Sequence, residues 1–264
     1  MKTDLIILGA QKAATTTLFD MLNQSDHIAG AINKEPHFFS QTPDWKANLN
    51  AYHAIYEGAG DGLRCEASTT YTFAPHRNNA ICDDLQAYNP DLKFIYIVRK
   101  PTDRILSHYR HNTMRGYNRG SIESFVRDYP LALDISRYHY QIMPYIETFG
   151  RENVLLLTFD DVIKQPESTL KSISTFLNLP EHALSAHARH SNVTGELGHK
   201  WEWEYGLPGR VAARITKPWR VHKAKTARLS PTLQKTINAE LEPEVSGIEN
   251  LMNRDLSDWR DIRG

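Results

Sequence analysis

The sequence predicts an α/β protein built on a mostly parallel sheet with helices on both faces. Short apolar runs alternate along the chain with segments in which apolar residues have helical spacing, and this alternation is typical of parallel strands joined by crossover helices. A chain of 264 residues is also long enough to bury a sizeable core without disulfides or a structural metal.

The predicted elements follow each other in a regular order. The apolar residues 5–8 predict a first buried strand, and Leu18, Phe19, Met21 and Leu22 have the spacing of a helix that follows it. Further strands are predicted at 63–67, 94–98 and 154–159, and further helices at 42–56, 78–88, 102–110, 135–149 and 166–177. Since the carboxyl ends of parallel strands share one sheet edge, we expect the loops 9–14, 33–39, 68–71 and 99–102 to meet there.

The loop after the first strand has the features of an anion-binding site. Gly9 frees the backbone, Lys12 supplies a full positive charge, and the hydroxyls of Thr15, Thr16 and Thr17 stand at the helix start. Free N–H groups and the positive end of the helix dipole point to where an anion would sit. The alternative is an ordinary strand-to-helix turn with a solvated lysine. The pattern GxxxxGK(S/T) needs a second glycine before the lysine, and its absence argues against an ordinary ATPase or GTPase.

A second cationic loop follows the strand predicted at 94–98. Arg99 stands directly after this strand, where its guanidinium can form two parallel bonds to a phosphate. The alternative is a pairing of Arg99 with a carboxylate at the rim of the sheet. Two cationic loops at one sheet edge can together hold a ligand that carries two separate anionic groups.

The loop 33–39 adds a carboxylate and an imidazole to this edge. Pro36 disfavours helical backbone at Glu35, so we expect the carboxylate to project from an extended segment into the cleft. Glu35 is the first candidate for a general base, and His37 is the second. The alternative is that Glu35 is a surface residue paired with Lys34.

Composition narrows the class of partner and compartment. The formal net charge is zero, which gives no overall attraction to nucleic acid or membrane. The two cysteines, Cys65 and Cys82, are too few for a disulfide framework and fit a reducing compartment. We find no signal peptide and no apolar run long enough to span a membrane. Together with the zero net charge, these observations lead us to expect a cytoplasmic protein without a nucleic-acid partner.

Two motifs taken together resemble those of a known family. GAQKAATTTL and the later YIVRKPTDRILSHY are similar to the two nucleotide-binding motifs of sulfotransferases that use 3′-phosphoadenosine 5′-phosphosulfate (PAPS). KEPHFFS resembles the segment that carries the acceptor base in heparan-sulfate and related glycan sulfotransferases. RENVLLLTFDDVIKQPESTLKSISTFLNL and NLMNRDLSDWR resemble their late strand and helix and their C-terminal ending. The resemblance covers most of the chain and weakens between 194 and 231.

The resemblance implies a fold and a set of roles. It implies one three-layer domain over 1–264, related in fold to the P-loop nucleotide kinases, with PAPS as co-substrate, PAP as product and no metal. The backbone of Ala13 and Ala14 and the side chains of Lys12, Thr15, Thr16 and Thr17 would contact the 5′-phosphosulfate. Arg99 and Ser107 would hold the 3′-phosphate. Ala67 stands where the glycan-sulfating relatives often have a lysine, which argues against a heparan-like acceptor.

The predicted reaction is transfer of the sulfuryl group to a hydroxyl. Glu35, or alternatively His37, would take the hydroxyl proton while Lys12 stabilises the departing PAP, and the acceptor would be a glycan, a glycolipid or a small metabolite. Two other functions stay open: a kinase-like phosphotransferase on a related fold, and a nucleotide-binding module without catalysis. Weaker candidates for nucleotide contacts are His190, Ser191, Asn192 and Lys200.

The segment 205–239 is basic and has no acidic residue. Either it is a solvated helical face balanced by the acidic tail after it, or it belongs to a lid or acceptor-binding rim over about 196–239. Such a rim would attract an anionic acceptor, close over PAPS or contact anionic lipid headgroups. The tryptophans that flank it or lie within it are Trp201, Trp203 and Trp219.

Overall fold

The computed structural model describes residues 2–185 and 206–262. A five-stranded sheet lies at its centre, in the order β2-β3-β1-β4-β5, and all of its strand pairs are parallel. The strands are β1 (Leu5–Gly9), β2 (Ile28–Gly30), β3 (Leu63–Glu66), β4 (Lys93–Val98) and β5 (Val154–Thr158). The predicted parallel sheet with helices around it is confirmed.

The helices alternate with these strands in the first half of the chain and dominate the second half. They are α1 (Thr15–Leu22), α2 (Phe38–Gln41), α3 (Leu49–His53), α4 (Ile81–Tyr88), α5 (Pro101–Arg115), α6 (Ile122–Asp128), α7 (Leu131–Asp134), α8 (Tyr138–Phe149), α9 (Phe159–Lys164), α10 (Pro166–Phe176), α11 (Gly206–Thr226) and α12 (Pro231–Met252). Within the two described ranges, none of the helices is long and apolar enough to cross a membrane.

Several elements differ from the sequence prediction. The strand β2 was missed because it is only three residues long, so its apolar run is too short to recognise. The predicted helix 42–56 is reduced to α3 and a 3₁₀ turn, since Asn48 donates through its backbone to Trp45 and through its side chain to Asp44. Such local bonds compete with the helical ones. The predicted strand 63–67 is the third strand and not the second.

Helix α5 is longer than predicted at its C-terminal end. It was expected over 102–110 and instead runs to Arg115, where Gly116 at φ 82° caps it in the left-handed conformation. The last turn and a half of α5 therefore consists of residues that were not predicted to be helical.

The strand order decides where a ligand can bind. β1 and β4 lie side by side, their apolar side chains are fully buried, and each such Leu or Ile contributes about 1.5–3 kcal/mol to folding. The chain leaves β1 towards β2 on one side of the sheet and leaves β4 towards β5 on the other. A crevice opens at the carboxyl ends of strands where the order reverses in this way. The loops after β1 and β4 form this crevice.

Candidate active site

The loop between β1 and α1 is held open towards the crevice. Gly9 has φ 145°, a conformation that side-chain-bearing residues rarely adopt, and the N–H of Ala10 donates to Ile97 of β4 at 2.7 Å. Helix α1 starts at Thr15 with neither a side-chain cap nor an acidic residue in its first turn. Its terminal N–H groups are therefore available to an anion.

Ala14 adopts a backbone conformation that favours glycine. Its φ is 73°, and a left-handed conformation costs a residue with a Cβ roughly 1–2 kcal/mol. Lys12 has the same strain at φ 71°. Strain of this kind persists where the surrounding structure fixes the backbone, as it does at many functional loops.

Lys12 connects the two cationic loops. Its carbonyl oxygen accepts a hydrogen bond from Nη1 of Arg99 at 2.9 Å, and its Nζ lies 3.3 Å from Nδ1 of His111 on α5. Burial lowers the pKa of Lys12, and the charges of Arg115 and Arg99 lower it further. The ammonium is therefore held in a positively charged, half-buried place where an anionic ligand would be strongly favoured.

His111 is a neutral partner of Lys12. Burial lowers its pKa to about 4, with further contributions from the charges of Lys12 and Arg115. At pH 7 the imidazole is uncharged, and its Nδ1 accepts a hydrogen bond from the ammonium of Lys12, which assigns the single ring proton to Nε2. The contact orients Lys12 without neutralising its charge.

Arg99 is fixed by its backbone and by an aromatic ring. Tyr138 donates from its hydroxyl to the carbonyl oxygen of Arg99 at 2.7 Å, and the guanidinium carbon lies 4.1 Å from the centre of the Phe159 ring. In residues 2–185 and 206–262, no carboxylate forms an ion pair with Arg99, so the pairing considered as an alternative is not found. Ser107 lies half-buried two turns into α5.

Glu35 lies between a cation and an imidazole. Its Oε1 is 2.6 Å from Nζ of Lys34, and its Oε2 is 3.5 Å from Nε2 of His37. Burial by itself raises the pKa of Glu35, but the hydrogen bond with His37 and the charge of Lys34 outweigh it and hold the pKa at about 2. The pairing with Lys34 is therefore present, yet it lies within the cleft, because Glu35 is half-buried beside His37.

His37 is oriented by two hydroxyl groups that follow β3. The backbone N–H of His37 donates to Oγ of Ser68 at 2.9 Å, and the ring Nδ1 lies 2.9 Å from Oγ1 of Thr70. These contacts point the other ring nitrogen, Nε2, at Glu35. The loop 68–71 is expected at this edge from the sequence, but its role as the support of His37 follows only from the contacts themselves.

The predicted loops do meet at one edge of the sheet. Arg99 joins the second cationic loop to the first, and the charge of Glu35 raises the pKa of both Lys12 and His111, so these three groups lie within electrostatic range. Two residues of α5 that lie near Lys12, His111 and Arg115, were not predicted from the sequence. Their spacing from Ser107, four and eight residues, would have placed all three on one face of a longer helix.

The basic segment packs partly against α5. Arg220 on α11 donates to the carbonyl oxygen of Met114 at 3.2 Å, and Lys223 donates to that of Arg119 at 2.6 Å. Trp219 is 55% exposed, with Nζ of Lys223 5.0 Å from its ring centre. The candidates that lie outside the described residues are His190, Ser191, Asn192, Lys200, Trp201 and Trp203.

Comparison with known proteins adds a family and a set of relatives. The family model for the sulfotransferase domain matches residues 2–195. The heparan sulfate glucosamine 3-O-sulfotransferase 3A1 of Mus musculus is 24% identical over 199 residues, which are 72% of this chain and 49% of the relative. The bifunctional heparan sulfate N-deacetylase/N-sulfotransferase 1 of Caenorhabditis elegans is 21% identical over 210 residues, 73% of this chain and 24% of the relative. The chain thus matches about half of the first and a quarter of the second.

Two solved structures share the fold. The sulfotransferase from Alicyclobacillus acidocaldarius superposes with a TM-score of 0.71 at 24% identity, covering 99% of this chain and 100% of the other. The sulfotransferase domain from the curacin biosynthetic pathway superposes with a TM-score of 0.58 at 17% identity, covering 97% and 99%. The predicted fold class, related to that of the P-loop kinases, is confirmed.

Proposed function

Since the chain belongs to the sulfotransferase domain family, we propose that it moves the sulfuryl group of PAPS to a hydroxyl of its acceptor. The observation that carries this proposal is the bond between the two cationic loops, from Arg99 to the carbonyl oxygen of Lys12. It joins two anion-binding groups at the carboxyl ends of adjacent strands. PAPS carries anionic groups at both its 5′ and its 3′ position and so fits a divided site of this kind.

The donor would be divided between the two loops. The 5′-phosphosulfate would lie at the start of α1, against Lys12, the backbone of Ala13 and Ala14, and the hydroxyls of Thr15, Thr16 and Thr17. The 3′-phosphate would lie against Arg99 and Ser107. The open N–H groups of α1 and the lack of an ion pair at Arg99 in the described ranges support this assignment.

The chemical step would be an in-line displacement at sulfur. The acceptor oxygen forms a bond to sulfur, the bond from sulfur to the bridging oxygen breaks, and PAP leaves with that electron pair. Glu35 takes the hydroxyl proton, and Lys12 stabilises the negative charge on the departing oxygen. A sulfuryl group carries less charge than a phosphoryl group, so a lysine and helix N–H groups can meet this need.

Glu35 is a better candidate for the base than His37. The Nε2 of His37 is directed at Glu35, and its Nδ1 is engaged by Thr70, which suits a residue that orients the carboxylate. With a pKa of about 2, Glu35 is ionised at neutral pH but is a weak base while Lys34 and His37 hold it. Loss of the Lys34 contact on acceptor binding would raise this pKa and strengthen the base.

The class of acceptor and the cellular compartment are part of the same proposal. The relatives are named for heparan sulfate, a glycan, which supports a carbohydrate-bearing acceptor over other small metabolites. The two cysteines, Cys65 and Cys82, are both free, which suits the predicted cytoplasmic setting. We further propose one domain over 1–264, in which the basic segment 205–239 with its exposed Trp219 is a rim for the acceptor or a contact for anionic lipid.

Binding of PAP compared with AMP tests the donor assignment. We expect calorimetry to show that PAP binds about 10- to 100-fold more tightly than AMP, because the 3′-phosphate gains charge-assisted bonds. The variant Arg99→Gln should lose most of this difference. Equal or weaker binding of PAP would favour a kinase-like phosphotransferase. Preferred binding of PAP without transfer from labelled PAPS to any member of a hydroxyl-acceptor library would favour a non-catalytic module.

A further inference from the structure

The charges around Lys12 do not balance. Among the described residues, Arg115, Arg99 and Lys34 lower the pKa of Lys12, and the carboxylate that raises it, Glu35, is already in contact with Lys34. A partly buried excess of positive charge is unfavourable unless a ligand supplies the negative charge. The two anionic ends of PAPS would lie against Lys12 and Arg99, and the proposed donor contacts do not include Arg115.

Arg115 has no partner within the described ranges. Its Nε is shielded from solvent and meets no acceptor, and its guanidinium forms no ion pair there. Buried donors of this kind are nearly always satisfied, and an unsatisfied one next to a reaction centre points to a missing ligand. The residue is half-buried and close enough to shift the pKa of both Lys12 and His111.

Position along α5 separates Arg115 from the donor. The helix rises 1.5 Å per residue, so Arg115 lies about 12 Å beyond Ser107 and about 6 Å beyond His111, which contacts Lys12. Ser107, His111 and Arg115 therefore follow one another along α5 from the proposed 3′-phosphate site, past the proposed sulfuryl position, to the far end of the helix. Beyond the sulfuryl group lies the place where the acceptor has to enter.

We propose that Arg115 is an anion-binding residue of the acceptor site, which takes a carboxylate or a sulfate group close to the hydroxyl that is sulfated. This inference rests on the proposed function. The cationic surface continues outward from Arg115, since Arg119 lies close enough to lower the pKa of Arg220 on α11. A surface of this sign also raises the rate at which an anionic acceptor arrives.

Sugar binding to the PAP-saturated protein tests the inference without requiring turnover. The probes are methyl β-D-glucuronide, methyl β-D-glucoside 6-sulfate and the uncharged methyl β-D-glucoside, which separate a carboxylate from a sulfate and both from a neutral sugar. We expect at least one anionic sugar to bind about tenfold more tightly than the neutral one, since a bond between charged groups contributes more than a neutral bond. Arg115→Gln should remove this preference, Arg115→Lys should keep part of it, and the matched surface variant Arg119→Gln should keep all of it.

The affinity for PAP separates the two proposals. Arg115→Gln should change the Kd of PAP by less than about twofold, whereas Lys12→Ala should weaken it strongly. The inference is overturned if the wild-type protein shows no preference for the anionic sugars, if the preference survives in Arg115→Gln, or if Arg115→Gln weakens PAP as Lys12→Ala does. A wild-type protein that does not prefer PAP over AMP overturns the proposed function and this inference with it.

Discussion

Lys12 is the residue at which the proposed donor and acceptor sides of the crevice meet. Its carbonyl oxygen binds Arg99, its ammonium faces His111, and the charge of Glu35 acts on its pKa. The carboxylate and the lysine therefore have different tasks in the proposed reaction. Glu35 acts on the acceptor proton only, whereas Lys12 acts on the donor both before and during the step.

Substitution of these two residues should separate the tasks. Glu35→Gln should lower kcat by about 100- to 10,000-fold, because the hydroxyl loses its general base, while the Kd of PAP stays nearly unchanged. Lys12→Ala should both weaken PAP and lower kcat. The measurement is a turnover assay with labelled PAPS together with calorimetry of PAP binding. An active Glu35→Gln beside an inactive His37→Ala would instead make His37 the base.

At the scale of elements, the C-terminal segment supports the second cationic loop. The ammonium of Lys100 is buried and donates to the carbonyl oxygens of Asp258 and Asp261, both at 2.8 Å. Trp259 packs edge-on against Tyr138, with 6.4 Å between ring centres. Because Tyr138 also holds the carbonyl oxygen of Arg99, helix α8 and the C-terminal segment together fix the arginine that is proposed to bind the 3′-phosphate.

Loss of one hydroxyl on α8 tests this support. Tyr138→Phe removes the bond to the carbonyl oxygen of Arg99, and we expect the affinity for PAP to fall by about three- to tenfold while the affinity for AMP changes less. The matched control is Tyr145→Phe, which removes a bond from another buried tyrosine on the same helix, to the carbonyl oxygen of Tyr71. If both variants change the ratio of PAP to AMP affinity equally, the effect is general destabilisation and not positioning of Arg99.

At the scale of the whole molecule, Glu66 makes stability depend on pH. The side chain is fully buried, Tyr52 donates to its Oε1 at 3.3 Å, and burial raises its pKa from 4.5 to about 7. The folded state therefore holds this proton more tightly than the unfolded state does. The proton on Glu66 therefore leaves the free energy of unfolding unchanged below about pH 4.5. This free energy falls as the pH rises towards 7, and above pH 7 it is lower by about 3 kcal/mol than below pH 4.5.

Urea unfolding of Glu66→Gln as a function of pH tests this sign. The buried amide adds a cost that does not depend on pH, so the informative quantity is the difference from the wild-type protein. We expect the free energy of unfolding of the variant to gain about 3 kcal/mol on the wild type between pH 4.5 and pH 7.5. The exposed Glu57→Gln should show no such change. A constant difference across this range would show that the pKa of Glu66 is the same in the folded and the unfolded state.

Local sequence determined the sheet and the two cationic loops. The apolar runs of β1 and β4 have near-continuous hydrophobicity because these strands are buried on both faces, and this property is visible without the fold. The residues that follow each strand then share one edge by topology alone. Lys12 and Arg99 could therefore be placed together from the sequence by this reasoning, whereas the strand that precedes Glu35, β2, has only three residues and could not be recognised.

Tertiary structure decided the partners of these residues. The pairing of Lys12 with His111 and the support of His37 by Ser68 and Thr70 depend on contacts between distant segments, and only the packed structure shows that Arg115 meets no partner among the described residues. Hydrophobic periodicity reports which face of an element is buried, but it does not report which polar groups meet across a cleft. Local patterns were thus sufficient for the fold and for the sheet edge at which we propose that ligands bind. Only the packing of α5 against the loop of Lys12 decided how the charges there are arranged, because that arrangement depends on distances that no local pattern encodes.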